Sequence, residues 1–276
     1  MLATQRWKTM IEVEHAQSDR LRAAVGPTDD HWQPYAHQFK ADPRRTDDSL
    51  VNRLLEEVTP ELTVLDVGAG GGRLALPLAL QCRHLTAVEP SASMCAVFRQ
   101  QAADFSIRNV TLSETSWDEA EVGVADVVLC AHVVYVVPNI EPFLRKLEAH
   151  ARQRVLMLLH KEPPQALLYP LWERIHGEKR LRLPGLPEFE EVLTELGIEA
   201  HVDLLRSQPF MGFDDYQQAL EQLGRRLYLA PGSRQMAAFE SMLPDLLEEV
   251  DGKFVIGGNG PREVGLVRWQ PKGAPR

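Results

Sequence analysis

A chain of 276 residues, 44% of them hydrophobic, is long enough to bury a parallel sheet inside one elaborated domain. Its formal charge of −9 argues against a partner held mainly through phosphates, which needs clustered Lys and Arg. Cys82, Cys95 and Cys130 are widely spaced with no Cys-x-x-Cys pair, which argues against a disulfide frame or thiolate zinc site and fits reduced thiols.

In chain order, residues 1 to about 60 read as helix, loop, helix. The opening MLATQRWKTMIEVEH carries charges where a secretion signal needs an apolar run, so a soluble, cytoplasmic protein is expected. DDHWQPYAHQFKADPRR is polar and turn-rich, with Trp32, Tyr35 and Phe39 interleaved as packing groups or pocket walls. A helix then starts from Asp47 or Asp48 as cap, with Leu50, Leu54 and Val58 on one face. Strands follow at LTVLDV, HLTAVEP, NVTLSE, ADVVLCA and QRVLMLLH, with helices such as PSASMCAVFRQQAADF and IEPFLRKLEAHA between them. Such β-rich runs separated by helices predict parallel strands covered on both faces. The longest apolar run, 127–137, is too short to cross a bilayer and contains His132.

Beyond His160 the alternation breaks. PPQALLYPLWERIHGEKRLRLPGLP sets Leu168, Leu171, Trp172 and Ile175 at helical spacing among prolines, and predicts a lid whose apolar face closes on the mouth of the sheet. EFEEVLTELG is an amphipathic helix stopped by Gly197, and IEAHVDLLR a sixth strand. FDDYQQALEQLGRRLY and SRQMAAFESMLPDLLEEV read as two further helices, the second kinked at Pro244. GKFVIGGNGPREVGLVRWQ closes the chain as two strand-like runs about a Gly-Gly-Asn-Gly turn, the last suited to pair antiparallel with the sixth strand.

The stretch VLDVGAGGGRLALPLAL bares backbone amides between a strand and a helix, where side chains would block a ligand. A dinucleotide site wants glycine at the third fingerprint position, which is Arg73, and no Gly-Lys-Ser/Thr follows for a P-loop. What remains is an acid, any residue, then Gly-x-Gly-x-Gly, beginning at Asp66. That spelling resembles motif I of the class I S-adenosylmethionine-dependent methyltransferases, and Glu89 at the end of the second strand extends the resemblance. It covers roughly residues 50–160 plus the terminal strands.

The resemblance implies an α/β fold: a Rossmann-like, doubly wound seven-stranded sheet with a reversed last strand and helical cap insertions. The domain reading is an N-terminal helical cap over 1–48 and a methyltransferase domain over 49–276, with insertions at about 163–185 and 208–250. For S-adenosyl-L-methionine it implies Gly68, Gly70 and Gly72 under the methionine moiety, Asp66 on its amino group, and Glu89 on the ribose with Pro90 against the adenine. The adenine edge falls to Ser116 and the amide of Trp117. The family's common Asp is missing at Ser116, and Trp117 suits a buried anchor equally well. Ala131 ends the fourth strand, where cofactor and substrate meet.

CAHVVYVVPN at that strand end lacks the Asn/Asp-Pro-Pro-aromatic motif of amino-methylating nucleic-acid enzymes and the acids of catechol-type ones. A small-molecule acceptor is therefore expected, with no metal, nucleic acid or membrane partner; no motif speaks to oligomeric state. His132 and His160 are the candidate catalytic bases, each also suited to a plain hydrogen bond. His176 lies in the lid helix, Tyr135 is a wall or packing residue, and Lys179, Arg180 and Arg182 either attract an acidic substrate or form a solvated run. The alternatives are a protein or RNA acceptor, a nicotinamide oxidoreductase, or a cofactor-binding relative without catalysis.

Overall fold

Along β4 (Ala125–Ala131), Val127 and Leu129 face one layer and Val128 and Cys130 the other, because successive strand side chains point to opposite faces. β5 (Ala151–His160) repeats this with Leu156 and Leu158 against Val155, Met157 and Leu159. All nine are fully buried, so helices must cover both sides of the sheet. The computed structural model, which describes residues 1–22, 30–207, 212–257 and 260–272, supplies them.

On one face lie α1 (Ala3–Arg22), α5 (Ile140–His150) and α7 (Leu186–Glu195), contributing Trp7, Phe143 and Phe189. Trp7 donates through Nε1 to the Val137 carbonyl at 2.9 Å, and its ring sits 5.9 Å from that of Phe189. The first helix of segment 1–48 thus belongs to the core of the sheet. On the other face lie α2 (Ser49–Leu55), α3 (Ala75–Gln81) and α4 (Ala92–Asp104), with Leu54, Leu76 and Phe98.

With β1 (Thr63–Val67), β2 (His84–Val88), β3 (Val110–Ser113), β6 (His201–Arg206) and β9 (Glu263–Trp269), the seven-stranded sheet runs β3-β2-β1-β4-β5-β9-β6. The first five strands are parallel; β9 is reversed and pairs antiparallel with both β5 and β6. The expected doubly wound sheet with a reversed last strand is the one observed.

Two readings of the second half need correction. Residues 233–250 are not one helix: α9 (Arg234–Leu246) ends two residues after Pro244, and β7 (Leu247–Val250) pairs with β8 (Lys253–Ile256) as a hairpin. Asp251 and Gly252 between them both have positive φ, 49° and 74°, the two-residue turn whose twist matches a hairpin. The expected turn about Gly-Gly-Asn-Gly lies partly outside the described residues, and β8 pairs with β7, not β9.

The second correction concerns the apolar face of α6 (Tyr169–His176). Leu168, Leu171 and Trp172 pack with Leu220 and Leu223 of α8 (Tyr216–Arg226) and Phe239 and Leu243 of α9 in a third, separate core, not on the mouth of the sheet. The two later helices supply apolar faces of their own, so that surface already has a partner.

Candidate functional site

Strand order reverses between β1 and β4, the place where open α/β sheets take ligands because loops leaving adjacent strands run to opposite sides and leave a crevice there. Gly68, Gly70 and Gly72 after β1 have φ of 76°, 54° and 85°, the left-handed region that favours glycine. A Cβ on Gly68 would fall 2.2 Å from Val133 Cγ2, and one on Gly72 2.9 Å from Leu76 and Phe98. One on Gly70 would meet nothing nearer than Met94 Sδ at 4.0 Å. The outer glycines therefore serve close packing, and the middle one faces open space. Arg73 turns away from the loop. Its Nη2 donates to Asp48 at 3.1 Å, while Arg45 donates to Asp48 at 3.0 Å and to the Arg73 carbonyl at 2.9 Å. Burial pushes the Asp48 carboxyl up, but the Arg45 hydrogen bonds and the Arg73 charge outweigh it and hold it below the usual range.

The wall formed by β1 and β2 is acidic. Asp66 is buried, and among the described residues its Oδ1 has no hydrogen-bond partner. Burial, then the nearby Glu89 carboxylate, push its carboxyl up to about 8, so it is mostly protonated at neutral pH. Glu89 Oε2 accepts from Gly70 N and Oε1 from Ser91 N, both at 2.9 Å, and Pro90 beside it is exposed. Burial raises the Glu89 carboxyl more than those two bonds lower it. A residue the sequence did not single out completes this wall. Asp30 accepts from Ser91 Oγ and, at 3.0 Å, from Ser93 N at the start of α4; these bonds outweigh burial and hold it down to about 2. It anchors the aromatic loop, and Phe39 Cβ lies 3.1 Å from where a Cβ on Gly71 would stand. Nothing in its sequence context sets Asp30 apart from other loop acids.

Ser116 is engaged within its own turn, accepting from Glu119 N at 3.4 Å and donating to Glu119 Oε2 at 3.1 Å. The Trp117 ring is buried against His150 at 5.0 Å and Lys146 Nζ at 4.7 Å, and Lys146 also donates to the carbonyls of residues 117, 118 and 120. Of its two readings, the ring takes the anchor.

The opposite wall is built at the ends of β4 and β5. Ala131 is followed by His132, whose φ of 60° is strained for a residue with a Cβ. Its ring stacks on His160 at 4.5 Å between centroids, and its Nδ1 lies 3.4 Å from the Tyr135 hydroxyl. That hydroxyl accepts from His160 N, which leaves its own proton for His132 Nδ1. Tyr135 thus ties the two histidine-bearing strand ends together. Burial, then the charges of Arg73 and Arg262, lower His132 to about 4; burial, then His132 and Arg262, lower His160 to about 2, so both rings are neutral near pH 7.

Two sequence candidates lie elsewhere. His176 Nε2 donates to the Leu227 carbonyl at 2.8 Å inside the cap, a structural tie. Arg180 is no solvated charge: its side chain and that of Glu14 are each 5% exposed and pair, with the guanidinium 3.8 Å over the Trp172 ring. Among the described residues, no group of His, Cys, Asp or Glu could hold a metal ion, and no helix is long and apolar enough to cross a membrane.

Several known proteins are similar to this chain in part of its sequence or in its fold. Residues 64–154 match the family profile described as "Methyltransferase domain". A ubiquinone biosynthesis O-methyltransferase of Rickettsia canadensis is 27% identical over 151 residues, 50% of this chain and 63% of that one. Its namesake in Rickettsia prowazekii is 31% identical over 155 residues, 50% of this chain and 59% of that one. The chain therefore spans about three fifths of the length of these relatives. Among solved structures, a putative methyltransferase from Bacillus halodurans superposes with a TM-score of 0.52 at 14% identity, covering 80% of this chain and 98% of that one. Coclaurine N-methyltransferase, bound to N-methylheliamine and SAH, superposes at 0.51 with 13% identity, covering 95% and 88%. At such identities the likeness is one of fold.

Proposed function

We propose, from the premise that the chain carries a class I S-adenosylmethionine-dependent methyltransferase domain over residues 64–154, that the whole chain methylates a small-molecule acceptor in the crevice between β1 and β4. The observation that carries the reading is the buried Asp66 Oδ1 without a partner, beside a glycine turn whose middle member leaves room for a ligand. A cationic amino group would satisfy that oxygen, and the cofactor brings one. In this reading Gly68, Gly70 and Gly72 shape the floor. Glu89, already oriented by two backbone amides, keeps lone pairs for the ribose hydroxyls, and Pro90 lies against the adenine. The same reading assigns Ser116 and the amide of Trp117 to the adenine edge and Ala131 to the reacting end.

S-adenosylmethionine, when bound, supplies a methyl group on a sulfonium that leaves as a neutral thioether. The chain's own work is then to align the acceptor, exclude water and receive a proton where the acceptor must lose one. His132 and His160 are neutral and stacked at that end. His160 Nδ1 has no hydrogen-bond partner among the described residues and offers a nitrogen for the displaced proton, while His132 does so only by giving up its bond from Tyr135. The Rickettsia relatives are named as O-methyltransferases, which agrees with an oxygen acceptor here.

Calorimetry with S-adenosylmethionine, S-adenosylhomocysteine and NAD tests the cofactor assignment; binding to NAD alone would overturn it. Incubation of the protein with tritiated-methyl cofactor and a cell extract tests the acceptor class. Label is expected in the fraction that passes a small-molecule filter, and label confined to protein or RNA would replace the acceptor.

A further inference from the structure

Arg262, on the run into β9, is a half-buried cation with no carboxylate of its own. Its Nη2 donates to the carbonyls of Glu162 at 2.8 Å and Pro163 at 2.7 Å, and its Nη1 to that of Pro164 at 3.0 Å. Among the described residues no carboxylate oxygen comes within ion-pair distance. The two nearest acids in sequence are engaged elsewhere: Glu162 with Arg182 at 3.2 Å and Glu263 with Lys161 at 2.7 Å. A guanidinium has five N–H donors, so the Nε proton and one on Nη1 remain. Of the described residues, Glu162 is the one acid whose charge reaches Arg262, and it is not within ion-pair distance; a half-buried permanent charge left without a close counter-ion suits a ligand that supplies one.

The surroundings point the same way. His160 Nδ1 and Gln165 Oε1 are buried, and neither has a hydrogen-bond partner among the described residues, while the Tyr169 hydroxyl beside them lies toward the Leu183 backbone amide. His160 ends β5; Gln165 and Tyr169 belong to the turn whose carbonyls Arg262 holds, and to the first residue of α6. The charge of Arg262 is felt at His132, His160, Tyr135 and Tyr169, so guanidinium, imidazoles and phenols share one neighbourhood. A ring nitrogen and an amide oxygen left unpaired together suit an oxygen-bearing organic molecule, not an apolar one.

We propose that Arg262 is the anion-recognising residue of the acceptor site, and that the molecule receiving the methyl group carries a carboxylate. The proposal rests on the methyltransferase reading for the meaning of "acceptor", though not for the anion site itself. The two remaining N–H groups, on Nε and Nη1, point away from one another, so the guanidinium offers a carboxylate its charge and a single N–H, not a two-pronged fork. The same pairing would offset the positive field on the histidines, so that acceptor binding makes His132 and His160 better proton acceptors. Residue 262 would then select the acceptor without touching the transferred group.

The test uses the full chain saturated with S-adenosylhomocysteine, with benzoate, benzamide and phenyl phosphate as probes in saturation-transfer NMR. Benzoate is expected to bind and benzamide, its neutral isostere, to bind at least about tenfold more weakly. Arg262→Gln should weaken benzoate about tenfold or more, whereas Arg262→Lys should stay within about threefold of wild type. Lysine keeps the charge but not the fork that reaches three carbonyls. If the role is only to staple residues 162–164, both variants lose benzoate alike, and the proposal is overturned. It is also overturned if benzamide binds as well as benzoate, if phenyl phosphate alone binds, or if wild type takes no benzoate up to about 10 mM. Affinity for S-adenosylhomocysteine, measured in the same samples, should be equal in all three proteins. Its absence would instead sink the methyltransferase reading and leave the benzoate result standing on its own.

Discussion

The two walls of the crevice keep ionisable groups from water by opposite means. On the β1–β2 side, Asp66 avoids a buried negative charge by holding a proton up to about pH 8. On the β4–β5 side, His132 and His160 avoid a positive one by releasing theirs, at about 4 and about 2. One wall is therefore poised to give up a proton when a cation arrives, and the other to accept one when the surrounding positive charge is offset. Val133, in contact with Gly68, is the seam between them. A reaction that joins a cationic donor to an acceptor losing a proton needs that asymmetry.

The largest expected effect separates seam from floor. Gly70→Val places a branched side chain where the protein leaves space, at a cost of roughly 1–2 kcal/mol for the left-handed backbone. The protein should remain folded by circular dichroism while cofactor binding falls by more than about 100-fold. Gly68→Val instead drives into Val133 as well, and should lower the melting temperature far more. If Gly70→Val binds normally, the ligand does not lie over this turn.

Next in size is Glu89→Ala. Loss of charged hydrogen bonds should weaken S-adenosylmethionine by roughly 2–4 kcal/mol in calorimetry. Because Glu89 also holds Gly70 N and Ser91 N, Glu89→Gln sharpens the result. It retains one acceptor oxygen and should fall between wild type and alanine. Unchanged affinity in both variants would remove Glu89 from the ligand.

Much of the acidic wall was legible in sequence, because a glycine turn between strand and helix and an acid one strand later are local patterns. Asp66 and Glu89 fall where such patterns place them. Asp30 was not legible, since its bonds to Ser91 and Ser93 join residues about 60 apart in a loop without periodicity. The basic wall was half legible. His132 and His160 announce themselves at strand ends, but their stacking depends on β4–β5 register, and Arg262 enters from a strand about 100 residues later. The cap misled for a further reason. Leu168, Leu171 and Trp172 do form an apolar stripe, but its partner lies in α8 and α9, and periodicity names a face without naming what covers it. The Asp251-Gly252 turn was the missed signal for the β7–β8 hairpin.

A third prediction follows from the proton on Asp66. If a cationic ligand pairs with this carboxyl, binding at pH 7 must release that proton, so affinity should rise with pH and level off above about 8. Calorimetry in buffers of different ionisation enthalpy should count a release approaching one proton near pH 6.5. In Asp66→Asn the count should drop to near zero and the affinity become flat across this range. A wild-type proton count of zero would break the comparison at its acidic wall.

The smallest effect is on stability without ligand, and it pits the walls against each other. Asp66 has a raised folded pKa, so its contribution is fully present below the ordinary Asp value near 4 and is lost as pH rises towards 8. His132 and His160 have lowered folded values, so theirs is present above about 6.5 and is lost as pH falls toward 4 and below. Each group bends the curve by at most about 1.4 kcal/mol per pH unit. Between pH 4 and 6.5 two histidines oppose one aspartate and stability climbs with pH; between 6.5 and 8 the aspartate acts alone and stability declines. These three groups together place a maximum near pH 6.5. Thermal melts across pH 4.5–8.5 should show Asp66→Asn flattening the alkaline limb and steepening the acid one, and the double variant His132→Asn, His160→Asn reversing the acid limb. Should Asp66→Asn leave the alkaline limb unchanged, the proton is not held by the β1–β2 wall.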